Sequence, residues 1–285
     1  MNKFEKNEGC FPRTSQLPSQ SPLFWVSQKD RYLRQLLIAD IEAVTNRRLV
    51  VYFTSPHQSA MIDHDDVRCL YELLSDCSNE PVDLFIETPG GVTDAAEQLI
   101  QLIEQLAPGF RALIPHRAKS NGTLLALAAS EILMGVTSEL GPCDPMLAGV
   151  PVEFILNAAD SLNPLDVQHA IHAQKQTKTT LSRLLKQHLS KNSNMSAEQK
   201  NLKLDELVTA FSTREVFASH GTPVGPAYLT ENYIAVEHLS KENELWQKLW
   251  LLFCMYTHDC QMNGYSKIFE TRKISISKAP DKSCE

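Results

Sequence analysis

Two short runs carry residues suited to acyl-transfer chemistry: Thr88-Pro89-Gly90-Gly91, and RAKSNGTLLALAAS from Arg117 to Ser130. Consecutive glycines let the backbone take positive φ and approach a ligand with no Cβ in the way. An N–H at such a turn, helped by the dipole of a following helix, can stabilise an oxyanion. A tight strand-to-helix turn would also use these glycines for geometry alone. In the second run Ser120 stands between a strand and a helix of small residues. Its hydroxyl would sit at a helix N-terminus, with the Asn121 N–H aligned toward the same oxyanion. Serine is equally a preferred N-cap, and Ala118 replaces the first glycine of a G-x-S-x-G elbow.

A serine nucleophile needs a base. Lys119 adjoins it, but adjacent side chains diverge, so Lys119 is read as solvent-facing or structural. Lys175 and Lys178 lie in the polar stretch QHAIHAQKQTKTT, and either would need burial to lower its pKa. His116 precedes the serine run, and His220 lies in the loop SHGTPVGP. If a histidine is the base, Asp144 of GPCDP would orient it, although Asp before Pro also favours turns. His169 and His172 share a helical face, yet no carboxylate stands in matching register, so no metal is expected. No cofactor is expected either. The single S-x-x-K match, Ser275 to Lys278, has no helix around it and is read as chance.

The elements that must position these residues alternate. Helical spacing over Asp30 to Asn46 precedes a strand at 49–54; a second helix spans Asp63 to Cys77, followed by a strand at 82–87. Val92 to Ala107 reads as helix, 110–115 as strand, Asn121 to Ala129 as a short helix and 131–134 as strand. This rhythm indicates an α/β fold of strand-turn-helix units. From Pro164 to Phe217 the chain is helical in composition, interrupted near 191–196, and a last helix spans Ser240 to Tyr256. Residues 1–26, punctuated by prolines, are expected to form a flexible arm, 27–262 the main domain, and 263–285 a mobile tail.

With 43% hydrophobic and 21% charged residues the composition is that of a globular protein. A net charge of −7 argues against a phosphate-tracking, nucleic-acid-binding surface. Seven scattered cysteines with no CxxC pair fit reduced thiols better than disulfides or a zinc ribbon. No signal peptide and no membrane span is visible, so a cytoplasmic location is expected.

ETPGG (87–91), AKSNGTLLALAASEILMG (118–135) and SELGPCDP (138–145) together resemble the serine dehydrogenase proteinase family. These are relatives of signal peptide peptidase A within the Clp-protease/crotonase superfamily. The likeness extends through 31–53 upstream and, more weakly, to SHGTPV (219–224) downstream. It implies a Clp-protease/crotonase-like spiral of strand-strand-helix units with a helical C-terminal part. It further implies a serine nucleophile at Ser120 and oxyanion donors at the Gly91 and Asn121 amides; Gly90, Gly122 and Asp144 are expected beside them in the oxyanion and substrate-binding site. The substrate would be a peptide or unfolded protein running along the PGG edge as an added strand.

Superfamily members use either a His–Asp pair or a lysine as base. Lys175 and Lys178 stand at a distance from the serine similar to that of the lysine in some signal peptide peptidases, while His220 lies in a loop that matches a recurrent histidine-containing loop. The residue after the serine is usually small and apolar in these relatives; here Asn121 would alter the pocket floor. The resemblance also implies a homo-oligomer, in which a neighbour would supply any base missing from the monomer. The expected function is peptide-bond hydrolysis through an acyl-enzyme at Ser120. The alternatives are a degenerate member kept for assembly or binding, and a crotonase-type acyl-CoA enzyme. No P-loop is present, so any energy-driven unfolding would come from another protein.

Overall fold

The computed structural model describes residues 21–57, 60–77 and 80–280. Helices α1 (Pro22–Ser27) and α2 (Lys29–Thr45) lead to strand β1 (Arg48–Thr54), then α3 (Asp65–Ser75), β2 (Val82–Glu87) and α4 (Thr93–Leu106). Next come β3 (Arg111–Ile114), β4 (Arg117–Ala118), α5 (Asn121–Leu127), β5 (Glu131–Met134) and β6 (Glu139–Leu140). A small hairpin, β7 (Met146–Leu147) and β8 (Val150–Pro151), precedes α6 (Val152–Asn157), α7 (Pro164–Ser190) and α8 (Ala197–Ser212). The chain continues through α9 (Pro226–Glu231), β9 (Val236–His238), α10 (Glu244–Asn263), β10 (Lys267–Glu270) and β11 (Ser275–Lys278).

Among the described residues seven strands form the main sheet, in the order β11-β10-β1-β2-β3-β5-β9. Strands β1, β2, β3, β5 and β9 are parallel. Parallel strands need cover on both faces and read as continuous apolar runs, as the wholly buried RLVVYFT and VDLFIE do. Alternate residues feed two cores. Val50, Tyr52, Leu84, Ile86, Ala112 and Ile114 pack with α3, α4, α5 and α7. Leu49, Val51, Phe53, Phe85 and Leu113 pack with α2 and α10. Each fully buried aliphatic or aromatic side chain contributes about 1.5–3 kcal/mol relative to exposure.

After β2, β3 and β5 the chain does not turn directly into a helix. It first makes a second short extended segment, and these segments lie side by side. Ile62 bridges Gly91, Thr88 bridges Ala118, β4 pairs with β6, and Leu140 bridges Val224. This second layer is the strand-strand-helix spiral, and it carries the residues singled out for chemistry.

The C-terminal end departs from expectation. Residues 267–270 are a buried strand antiparallel to β1, and 275–278 extend the sheet beside it. Charge had suggested a mobile tail, but the charges are consumed internally. Lys267 is buried and pairs with Asp66 at 2.8 Å, and with Asp63. Lys278, the end of the S-x-x-K match, reaches Asp66 at 3.2 Å. Residues 21–26 of the expected arm include most of α1; residues 1–20 and 281–285 lie outside the described part.

Candidate active site

The PGG turn is shaped by close backbone approach. Gly90 has φ 102° and Gly91 φ 154°, and a Cβ on Gly91 would fall 2.4 Å from the Ile62 backbone. Ile62 N–H donates to Gly90 O at 2.8 Å and Val92 N–H to Ile62 O at 2.9 Å. Across a trans peptide the C=O and the next N–H point in opposite directions, so the Gly91 N–H is directed away from Ile62. One edge of the turn is thus occupied by the chain itself. An added substrate strand would have only the other.

Ser120 lies at the strand-to-helix turn between β4 and α5, with φ 53° and ψ −123°. A non-glycine residue held there is strained by about 1–3 kcal/mol, and such strain persists only where the surroundings enforce it. An N-cap has extended backbone and a side chain that accepts a helix N–H; Ser120 has neither. Its turn is elbow-like without the flanking G-x-S-x-G pattern, because the neighbours are cleared by other means. A Cβ on Gly90 would lie 2.7 Å from Ser120 Cβ and 3.2 Å from Asn121 N. One on Gly122 would lie 2.5 Å from Thr88 Cγ2. Among the described residues neither the Gly91 nor the Asn121 N–H donates to a backbone carbonyl.

The Asn121 side chain, expected to alter the pocket floor, makes two hydrogen bonds. It turns toward the PGG segment, where Nδ2 donates to Gly91 O at 2.5 Å and to Thr93 Oγ1 at 3.2 Å. It clips the two glycine-lined turns together.

His220 and Asp144 meet. His220 Nδ1 is 2.6 Å from Asp144 Oδ1, and the carboxylate is buried. Its other oxygen accepts from Arg214 Nε at 2.9 Å. Arg214 is itself held by its N–H to Glu153 Oε2 at 2.8 Å and by the Phe154 ring, 5.4 Å below its guanidinium. The His220 loop reaches the serine turn through Lys119, whose Nζ donates to Gly221 O and Thr222 O, both at 3.3 Å. Cys143, beside Asp144, directs its Sγ at Ser120 O, 3.4 Å away, and burial pushes that thiol's pKa up. The serine turn and the His220–Asp144 pair are thus linked within one chain through Lys119 and Cys143.

The other candidates lie apart. Lys175 stands exposed on α7, and Lys178 beside it is only half-buried, so neither has the desolvation a lysine base needs. His169 and His172 are exposed on the same helix. His116 packs on Phe253 and points Nδ1 at Glu87 Oε1, 3.2 Å away. Among the described residues no group of three His, Cys, Asp or Glu is placed to hold a metal ion. Sequence reasoning missed Arg214 and the reach of Lys119, since neither falls in a recognisable motif with its partner.

A strained serine between strand and helix, on a spiral of strand-strand-helix units, is the build of a serine peptidase. The chain belongs to the family of ClpP-like SDH-type serine proteinases, whose model matches residues 35–209. It is 42% identical over 82 residues to one uncharacterised protein of Methanocaldococcus jannaschii, and 42% over 78 residues to another. These matches cover 29% and 27% of this chain, and the chain spans the same 29% and 27% of the length of those curated relatives. Among solved structures it is similar to a membrane-bound stomatin-specific protease, at 18% identity and a TM-score of 0.41, over 66% of this chain and 79% of that one. ClpP1 from Listeria monocytogenes matches at 14% identity and a TM-score of 0.45, over 70% of this chain and 95% of that one. Among the described residues no helix is long and apolar enough to cross a membrane.

Proposed function

We propose that the protein hydrolyses peptide bonds through an acyl-enzyme at Ser120, with His220 as general base and Asp144 orienting it. His220 Nε2 takes the proton as Ser120 Oγ attacks the scissile carbonyl, then returns it to the leaving amine. The Gly91 and Asn121 amides bind the tetrahedral oxyanion; Gly90 and Gly122 keep that space clear of side chains. Water, deprotonated by the same histidine, then releases the acyl group. The substrate is a peptide or an unfolded protein segment, and the working form is a homo-oligomer in the cytoplasm.

The observation that carries this reading is the 2.6 Å contact between His220 Nδ1 and Asp144 Oδ1, in a loop bonded to the residue before the serine. The strained backbone of Ser120 supports a nucleophile over a crotonase-type site, which has no use for a serine. A fluorophosphonate probe tests it. An adduct in the parent that is absent in Ser120→Ala and at least about 100-fold slower in His220→Ala is expected. No Ser120-dependent adduct would sink the nucleophile, and a parental rate in His220→Ala would sink the base.

A further inference from the structure

We propose that Lys119 is the positioning residue that sets the base and acid segments against the nucleophile turn. The inference rests on the catalytic reading above, and it concerns how that site is held rather than which atoms react.

Lys119 belongs to the nucleophile's own turn: its N–H donates to Thr88 O at 3.0 Å, and its carbonyl accepts from Gly122 N at 2.7 Å. From there the stem runs across Gly141. A Cβ at Gly141 would lie 2.8 Å from Lys119 Cδ, so glycine keeps the track open. At its end Nζ meets Leu140 O at 3.1 Å, Gly221 O and Thr222 O each at 3.3 Å, and Glu139 Oε1 at 3.0 Å. Gly221 directly follows His220. Leu140 opens the short segment that ends in Asp144. One side chain thus touches the backbone on either side of the Ser120–His220–Asp144 set.

A lysine kept for solubility would extend into water. This side chain is only 13% exposed. An ammonium offers three donors and no acceptor, which suits a cage of carbonyls and one carboxylate. Among the described residues neither the Gly221 nor the Thr222 carbonyl receives a backbone N–H. The loop's other ties are Thr222 N to Ser219 O at 3.0 Å, Gly221 N to Ser219 Oγ at 3.2 Å and the reciprocal pairing of Val224 with Leu140 at 2.9 Å. Lys119 therefore supplies the donors that this stretch lacks beside the imidazole. Displacement of a catalytic group by about 1 Å can cost about 100-fold in rate, so the tether acts on His220 placement.

The test is a double-mutant cycle read by the rate at which a fluorophosphonate labels Ser120. Lys119→Met keeps the stem and removes the ammonium. It is expected to slow labelling about 100-fold, and by no more than about threefold when His220 is already alanine, because the placement of an absent imidazole cannot be lost. An unchanged rate in Lys119→Met, or the same loss with and without His220, overturns the proposal. If Lys119→Met fails to reach the parental thermal midpoint, Lys119→Arg carries the test. Its planar fork cannot match the carbonyl cage, so a loss of about tenfold is expected with His220 present and none in its absence; equal losses overturn the proposal. Labelling that does not depend on Ser120 in the parent defeats the catalytic reading, and this inference with it, and is recognised by the Ser120→Ala control.

Discussion

Asp144 holds His220 Nδ1 at 2.6 Å through one carboxylate oxygen while the other binds Arg214 Nε at 2.9 Å. In the proposed mechanism the carboxylate, anchored from both sides, accepts a hydrogen bond from Nδ1–H and leaves Nε2 as the basic nitrogen. In Asp144→Asn the amide can present its N–H to Nδ1 and turn the imidazole to the wrong tautomer. Peptide hydrolysis is expected to fall by about 1,000- to 10,000-fold, with a lower thermal midpoint as well, because Arg214 keeps an oxygen partner but loses the carboxylate charge. A variant that kept a tenth of the parental rate would contradict the role given to the pair.

Gly91→Ala tests the oxyanion turn. The added Cβ meets the Ile62 backbone at 2.4 Å, in a φ that L-residues rarely adopt. The Ile62 bridge must open, at a cost of about 1–3 kcal/mol, and the Gly91 N–H moves with it. Loss of one oxyanion donor is worth about 100- to 1,000-fold in kcat. Urea unfolding and a kcat against KM comparison together check this; a normal kcat would place the oxyanion elsewhere.

Asn121→Ala removes the clip to Gly91 O and Thr93 Oγ1 but leaves the backbone N–H in place. A loss of about tenfold in kcat, with KM little changed, is expected from a looser PGG segment. If activity rises instead, Asn121 blocks the site rather than bracing it.

His188 gives a pH dependence. It is buried, its Nε2 lies 2.9 Å from Leu127 O, and its Nδ1 accepts the Ala235 N–H at 3.3 Å. Burial, and to a lesser extent Lys191, hold its pKa below the ordinary 6.5, against the pull of the Leu127 carbonyl. Below that pH the unfolded chain takes up a proton that the native state refuses, so this contribution falls as pH drops from about 6.5 toward the folded pKa, by at most about 1.4 kcal/mol per pH unit. Urea midpoints at pH 7 and 5 should diverge less in His188→Gln than in the parent. Equal divergence would assign the acid sensitivity to other groups.

The strand and helix pattern from residue 29 to 134 was readable because its periodicity comes from burial on both faces of one parallel sheet. The turns at Ser120 and at the two glycines were readable for a local reason, since turn geometry is written in adjacent residues. The base was not. His220 and Asp144 are 76 residues apart, and their segments meet through the Leu140–Val224 bridge and the reach of Lys119. The C-terminal strands were missed because their lysines look like solvated charge until Asp63 and Asp66, some 200 residues earlier, are seen beside them. Lys175 was attractive on sequence distance alone, and its exposure on α7 removes the burial that role needs.

Lys267→Met tests those missed strands. It leaves Asp66, wholly buried, with one cation fewer. Removing one partner of a buried ion pair costs about 3–5 kcal/mol, measurable as a lower urea midpoint. A change under about 1 kcal/mol would mean that Lys278 compensates.

Arg34 on α2 grips Glu270 on β10 through Nε at 2.8 Å and Nη2 at 3.1 Å, across 236 residues of sequence. Strand β1 likewise acquires its antiparallel neighbour only from 267–270. During synthesis β1 must therefore wait, with one edge unpaired, until residues 267–270 have left the ribosome. Long-range closure of this kind slows folding and exposes unpaired strand edges meanwhile. A chain stopped shortly before residue 267 would keep every residue of the proposed active site and still be a substrate for quality control rather than a peptidase.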